Sequence, residues 1–415
     1  MALSHRLAIV IAIVYTTIWT SFIIITAANM PLMDDYDAIL AFLNNYSDAA
    51  AWERVELLMG THNEHRILTT RLVAVAGYLL TGTANFTWLI LVGTGAWVLL
   101  TGCVIRDAHR HTHTALTAPF VALFLNLRFA TLINWAMAGM VHYMQCLFGF
   151  LSIAYLCTVD DPPPRRAVLG YTMMYLSALT SGAGILVIPV IGVHCLLAGK
   201  YRRLAVIVGH AVVILALTLA LFPPHSRNTT SLMPALFSPL VVTEFLVNFC
   251  GNLVPARLPC QVLGLSALAL IAFAVWNRFH VLYPQYFYLA SLQILTGLAA
   301  ALARFHLGAE YGLESKYSVY TIVLWASLIT MLWRHLCTPA SQASHTLQQY
   351  VLAGTYALCF TTCGCSWAYN RISVDNLARV HWIVHPNVTH ARGILNTASE
   401  KGIYDSTRYI SNAVR

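Results

Sequence analysis

Leu7–Asn29 runs for 23 residues, and Leu204–Phe222 for 19, without one Asp, Glu, Lys or Arg. A soluble chain cannot hide many such runs, because each is long enough to cross the roughly 30 Å hydrocarbon core of a bilayer as a helix. Further candidates are Ala84–Ile105, Ala115–Thr131, Ala138–Thr158, Leu258–Trp276, Tyr286–Ala303, Tyr317–Trp333 and Val351–Tyr369. The stretch Ala167–Gly199 is too long for one span, and Ser181-Gly182-Ala183-Gly184 interrupts it, so two short helices meeting at a break are expected. Composition agrees. Apolar residues make up 58% and charged residues 10%, against roughly 45–50% and about 25% in soluble domains. So few charges cannot cover a water-facing surface, and the chain reads as an all-α polytopic membrane protein with a bilayer as its main partner. Leu7–Asn29 is too long for a secretory signal and lacks a small-residue cleavage site, so it is expected to remain as a span.

The positive charges give an orientation. His5/Arg6, Arg106/Arg110, Arg165/Arg166, Lys200/Arg202/Arg203, Arg278 and Arg334 mark a cytoplasmic side, and Arg66, Arg227, Arg304 and Lys316 fall opposite. Met30–Arg66 holds seven acids against two arginines, a net of −5, as suits an outside loop. The alternation closes if the semi-apolar stretches Ile67–Gly82 and Leu240–Val254, which carry Arg71 and Glu244, are interfacial or half-inserted. The result is about eleven spans (roughly nine to thirteen), with the N-terminus inside and the C-terminus outside. Residues 1–369 then form the membrane domain, with 30–66 as a long first external loop, and 370–415 form a small external segment. In the loop, Ile39-Leu40, Leu43, Val55, Leu57 and Leu58 punctuate the polar residues, which predicts short amphipathic helices covering a cleft.

Other classes are poorly served. The +8 formal charge is spread thinly, with no basic run for nucleic acid. Most of the ten cysteines sit in apolar stretches and show no zinc-ligand spacing. The histidines of Arg106–His113 read as a solvated turn. Four N-x-[ST] triplets, at Asn45, Asn85, Asn228 and Asn387, are too short a pattern to argue from.

Two polar clusters lie in the predicted outside loops. The first is Asp34-Asp35-Tyr36-Asp37 followed by His62-Asn63-Glu64-His65-Arg66. Three aspartates within four residues repel one another unless positive charge is near, and a carboxylate where membrane meets water can act as a general base or hold a divalent cation. The second is Arg304-Phe305-His306 to Glu314-Ser315-Lys316-Tyr317, whose cations could bind a phosphate or reach for lipid headgroups. Arg71 and Arg128 sit inside apolar stretches, where a charge needs a partner. His142 and Gln145, one helical turn apart in a span, read first as a helix–helix hydrogen bond.

These motifs resemble bacterial integral-membrane glycosyltransferases of the GT-C superfamily. Members typically carry a DDW-like pair after the first helix, QHNEHRI before the next, and late in the chain an arginine, a Gly-containing loop and SRY. The equivalents here are Asp34-Asp35-Tyr36, Thr61-His62-Asn63-Glu64-His65-Arg66-Ile67, and Arg304, Gly308 and Ser315-Lys316-Tyr317. Lys316 for arginine keeps the charge and loses the bidentate fork. The resemblance implies an inverting transfer of sugar from a polyprenyl-phosphate donor to a glycan, lipid or protein acceptor, on the outer face of a bacterial inner membrane. It implies Asp35 as base, with Asp34 and Asp37 as alternates, Arg66, Arg304 and Lys316 as phosphate contacts, and Glu64 and His65 as orienting groups. Some members use a divalent cation such as Mg or Mn. The competing class is a transporter or flippase, which needs the same spans and polar cavity but would be expected to show repeated halves, and no repeat is visible. A third, a structural partner in an envelope complex, requires no clustered acids.

The orientation is open to test by single-cysteine labelling in intact cells with an impermeant reagent. A cysteine at Asn45 is expected to label, and ones at His109 and Ser341 to stay protected. The opposite pattern would invert the topology.

Overall fold

The computed structural model describes residues 2–63, 65–112, 115–221, 233–338, 344–379 and 386–404. Apart from one two-stranded hairpin, the regular structure of these residues is helical. Among the described residues eight helices are long and apolar enough to cross a membrane: Ile9–Thr26, Phe86–Arg110, Ala136–Leu156, Tyr201–Leu219, Arg257–Trp276, Pro284–Leu307, Ser315–Leu336 and His345–Tyr369. Ala136–Leu156 and Ser315–Leu336 are central, each 83% buried by the rest of the protein, whereas Tyr201–Leu219 is 11% buried. Val206, Val208, Val212 and Val213 stand exposed along that outer helix. An apolar outer surface of this kind is stable only in lipid. The protein is an all-α polytopic membrane protein.

The remaining apolar stretches form shorter pieces. Ile67–Gly82 and Leu240–Val254 become the helices Leu68–Thr81 and Pro239–Gly251. At 1.5 Å per residue these are about 20 Å long, short of a bilayer core. The first ends where Gly82 takes φ 74° and returns its N–H to the Tyr78 carbonyl, a left-handed stop that glycine adopts without strain. Ala115–Thr131 is not the single helix expected from its hydropathy but two, Thr117–Phe124 and Ala130–Asn134, on either side of Arg128. The physical reason is the guanidinium. Buried among apolar residues it needs acceptors, and it finds them in Asn252 Oδ1 at 2.7 Å and the Leu313 carbonyl at 2.6 Å.

In Ala167–Gly199 the break falls at Ser181. Pro164–Thr180 ends there, a tight turn spans Gly182–Leu186, and Val187–Leu197 completes the pair. The chain doubles back so closely that a Cβ on Gly184 would lie 1.9 Å from the Ser177 carbonyl oxygen. Only glycine fits.

The first loop folds onto the bundle as Tyr36–Ala41, a π-helical turn, then Phe42–Asp48 and Ala51–Met59. Ile39, Leu40 and Leu43 are buried in it, while Val55 of the last helix is exposed. The helix Val388–Glu400 lies against this loop. It buries Ala391, Ile394 and Ala398 there, and Asn44 Nδ2 donates to the Ile394 carbonyl at 3.3 Å. Lys401 Nζ reaches the Asn44 carbonyl at 2.7 Å and Asp48 Oδ2 at 2.5 Å. The sequence boundary at residue 370 falls inside a helix, His345–Arg379.

Gly184→Ala is expected to lower stability by roughly 1–3 kcal/mol through overpacking against Ser177, read as the thermal unfolding midpoint of purified protein. An unchanged midpoint would mean that the turn can widen at no cost.

Candidate functional site

The HNEHR motif is a hairpin. Thr61–His62 and His65–Arg66 pair antiparallel, with Thr61 opposite Arg66 and His62 opposite His65. A two-residue connection of this kind needs left-handed backbone, and Asn63 takes it at φ 50°. Directly opposed residues share a face, so His62 and His65 stand together while Thr61 and Arg66 face the other way. His62, Asn63 and His65 line a cavity of about 460 Å³. Arg66 instead donates to the carbonyls of Met59 and Thr218, and lies outside the cavity lining. Glu64 lies outside the described residues.

The three aspartates part company. Asp34 is half-buried on the cavity wall, 3.7 Å from His62 Nε2. Asp35 is fully buried and points at backbone: it accepts from the N–H groups of Met137 at 2.7 Å, Leu32 at 3.0 Å and Ala136 at 3.3 Å. Met137 and Ala136 are the first residues of the central helix Ala136–Leu156, so Asp35 satisfies the open amino end of that helix. Burial raises its carboxyl to about 7, against the opposite pull of the three N–H groups. Asp37 pairs with His390 Nε2 at 2.7 Å, on the helix Val388–Glu400. Of the three acids, only Asp34 lines the cavity.

The opposite wall carries Arg304, Lys316, Tyr317 and Tyr320. The segment 305–317 is a chain of short 3-10 turns, and its carbonyls are held from outside. Asn252 Nδ2 donates to Gly312 at 3.1 Å and Glu314 at 2.7 Å, Asn248 donates to Ala309 at 2.9 Å, and Arg257 meets Glu310 at 2.7 Å. Lys316 Nζ donates to the Tyr311 hydroxyl at 2.9 Å and sits 4.9 Å and 5.4 Å from the centroids of the Tyr311 and Tyr317 rings. Thus Arg304 and Lys316 share one cavity with Asp34, His62 and His65.

The helix break and a helix face that the sequence did not assign to a site complete the enclosure. Ser181, Gly182 and Ala183 form a third wall from the helix break, and Thr296, Ala299, Ala300 and Ala303 form another from one face of Pro284–Arg304. The signal for the former was the glycine-rich interruption; for Thr296 there was none. The charged groups are half-exposed, whereas Thr296, Val141, Ala138 and Tyr320 are at most 4% exposed. The cavity is thus lined by half-exposed charged groups together with buried neutral side chains, and its volume suits a small ligand. Among the described residues no three His, Cys, Asp or Glu side chains gather at metal-binding distance. The donor set around Asp34 and His62 does not fit a magnesium or manganese site, which takes several oxygen ligands.

These placements separate Asp35 from Asp34 experimentally. Asp35→Asn loses charge and one acceptor at a buried helix end, so it is expected to destabilise the protein by about 1–3 kcal/mol. Asp34→Asn should leave the unfolding midpoint unchanged. Equal midpoints for the two variants would contradict the capping role.

Compared with models of known families, with curated proteins and with solved structures, the chain finds no match.

Proposed function

We propose that the protein is a glycosyltransferase that moves a sugar from a polyprenyl-phosphate donor to a hydroxyl-bearing acceptor, on the extracytoplasmic face of a bacterial inner membrane. One observation carries the reading: an acid of the first loop and two cations of a distant loop line the same small cavity. The motif resemblance to GT-C enzymes points the same way. In this reading Asp34, not Asp35, is the base, because Asp35 is committed to the amino end of a helix.

Chemically, the Asp34 carboxylate accepts the proton of the acceptor hydroxyl as that oxygen bonds to the anomeric carbon. The bond from the anomeric carbon to the phosphate oxygen breaks on the opposite face, which inverts the configuration. The lipid phosphate departs with the electron pair, and Arg304 and Lys316 stabilise its growing negative charge. His62, at 3.7 Å, steadies Asp34, and His65 beside it orients the acceptor. No step is assigned to a divalent metal ion. A carrier for a lipid-linked anion draws on one observation, that a broken helix lines the cavity.

The test is turnover of a polyprenyl-phosphate sugar by purified protein, with donor binding measured separately. Asp34→Asn is expected to cut transfer by about two or more orders of magnitude while donor binding survives. Arg304→Ala should weaken donor binding and also slow transfer. Near-normal turnover by Asp34→Asn would remove the base, and uptake of the lipid into vesicles without sugar transfer would favour the carrier.

A further inference from the structure

A second pocket, of about 610 Å³, lies among the first loop, the start of the hairpin and the C-terminal segment, and shares no lining residue with the cavity described above. Its charges are unevenly matched. Asp48 and Lys401 neutralise each other at 2.5 Å. Glu53 accepts from the Ala50 N–H at 2.9 Å and Glu56 from the Trp52 indole at 2.6 Å, each through one carboxylate oxygen. Neither glutamate meets a cation among the described residues. Arg71 is the opposite case. It is 7% exposed, and its Nη1 donates to the carbonyls of Leu57 and Gly60 at 2.6 Å each, so the guanidinium stands between two residues of the pocket wall. Nε is buried without a partner, whereas Nη2 stays accessible and makes no hydrogen bond among the described residues. No acid of the described residues lies within ion-pair distance of it, and the charge that acts on it is that of Arg66, another cation.

A buried cation without a counter-ion is costly, and an anionic group on Nη2 would relieve that cost through a charge-assisted hydrogen bond. A simple anion does not suit the rest of the pocket, because Glu53 and Glu56 leave negative charge on the same walls and would repel it. The complementary ligand carries an anion and an N–H-bearing cation together. The surroundings name its source. Leu72, Leu79 and Leu80 on the helix of Arg71, and Trp52 and Val55 on the helix of Glu53 and Glu56, stand exposed. Such faces border lipid, and tryptophan favours the level of the headgroups. We propose that this pocket holds the headgroup of a phospholipid of the ethanolamine type, its phosphate on Arg71 and its ammonium against Glu53 and Glu56. The ammonium has donors for the free oxygens of the two glutamates, which the quaternary nitrogen of choline lacks. The site lies apart from the cavity and does not depend on the transferase reading.

The experiment uses the full-length protein in a neutral detergent and reads the rise in unfolding midpoint on titration with dioleoyl phosphatidylethanolamine. Four controls each lack one feature: dioleoyl phosphatidylcholine has no N–H, dioleoyl phosphatidylglycerol no ammonium, oleylamine no phosphate, and free O-phosphoethanolamine no acyl chains. The ethanolamine lipid is expected to act at about tenfold lower concentration than any of them. The double substitution Glu53→Gln, Glu56→Gln keeps an oxygen for Ala50 and for Trp52, so the protein should fold normally. It should nevertheless lose the preference for the ethanolamine lipid over the choline lipid. The proposal is overturned if the choline lipid, the glycerol lipid or oleylamine matches the ethanolamine lipid, or if the double variant keeps the wild-type preference. Equal potency of free O-phosphoethanolamine would overturn the lipid as the source.

Discussion

The carboxylate of Asp35 closes the amino end of Ala136–Leu156, one of the two most buried spans among the described residues, and the arrangement of the cavity follows from that contact. The first turn of a helix leaves several N–H groups without partners, and inside a membrane protein there is little water to take them. Asp35 accepts those of Ala136 and Met137 and so fastens the first loop to the helix that begins there. Its neighbour Asp34 is thereby placed on the cavity wall, and Met137, Ala138, Val141 and His142, on the next turns, line the same space. One contact sets both the acid and the surface it faces.

The arginines divide in a comparable way. Arg66, Arg71 and Arg128 all lie buried, and all three donate to backbone carbonyls: those of Met59 and Thr218, of Leu57 and Gly60, and of Leu313. Irregular backbone buried in a membrane protein has carbonyls that water does not reach, and a guanidinium with five donors can serve several of them. Arg71 also lies 5.0 Å from the Phe42 ring, which adds a cation–π contact to its place under the first loop. These side chains hold the two loops in place around the cavity, while Arg304 and Lys316 stand on its wall.

The helix break at Ser181 and the segment 305–317 do related work from opposite sides. Each is a departure from regular helix that brings polar groups to the cavity, and each is stabilised by close packing or by outside donors. Gly184 against Ser177 permits the first, and Asn248, Asn252 and Arg128 satisfy the carbonyls of the second. The cavity thus rests on side chains that never line it.

Much of this was legible in the residues alone. Uncharged runs such as Leu204–Phe222 have no stable home except lipid or a large core, and that argument needs no coordinates. The break at Ser181 was readable because it depends on local backbone chemistry, whereas the hairpin centred on Asn63 and the helix stop at Gly82 emerged only with the structure. Hydropathy could not tell that Ala115–Thr131 would split, since the demand of Arg128 for acceptors is met by Asn252 and Leu313, remote in the chain. Nor could spacing decide among Asp34, Asp35 and Asp37, which differ by one or two positions. Which carboxylate meets a helix end, which meets His390 and which meets the cavity depends on the elements that happen to lie above each one. Local sequence determined that this chain enters a membrane, where it turns and which residue types gather in its loops. Tertiary structure alone decided which of them meet, because burial and hydrogen-bond partners come from segments that no local spacing relates.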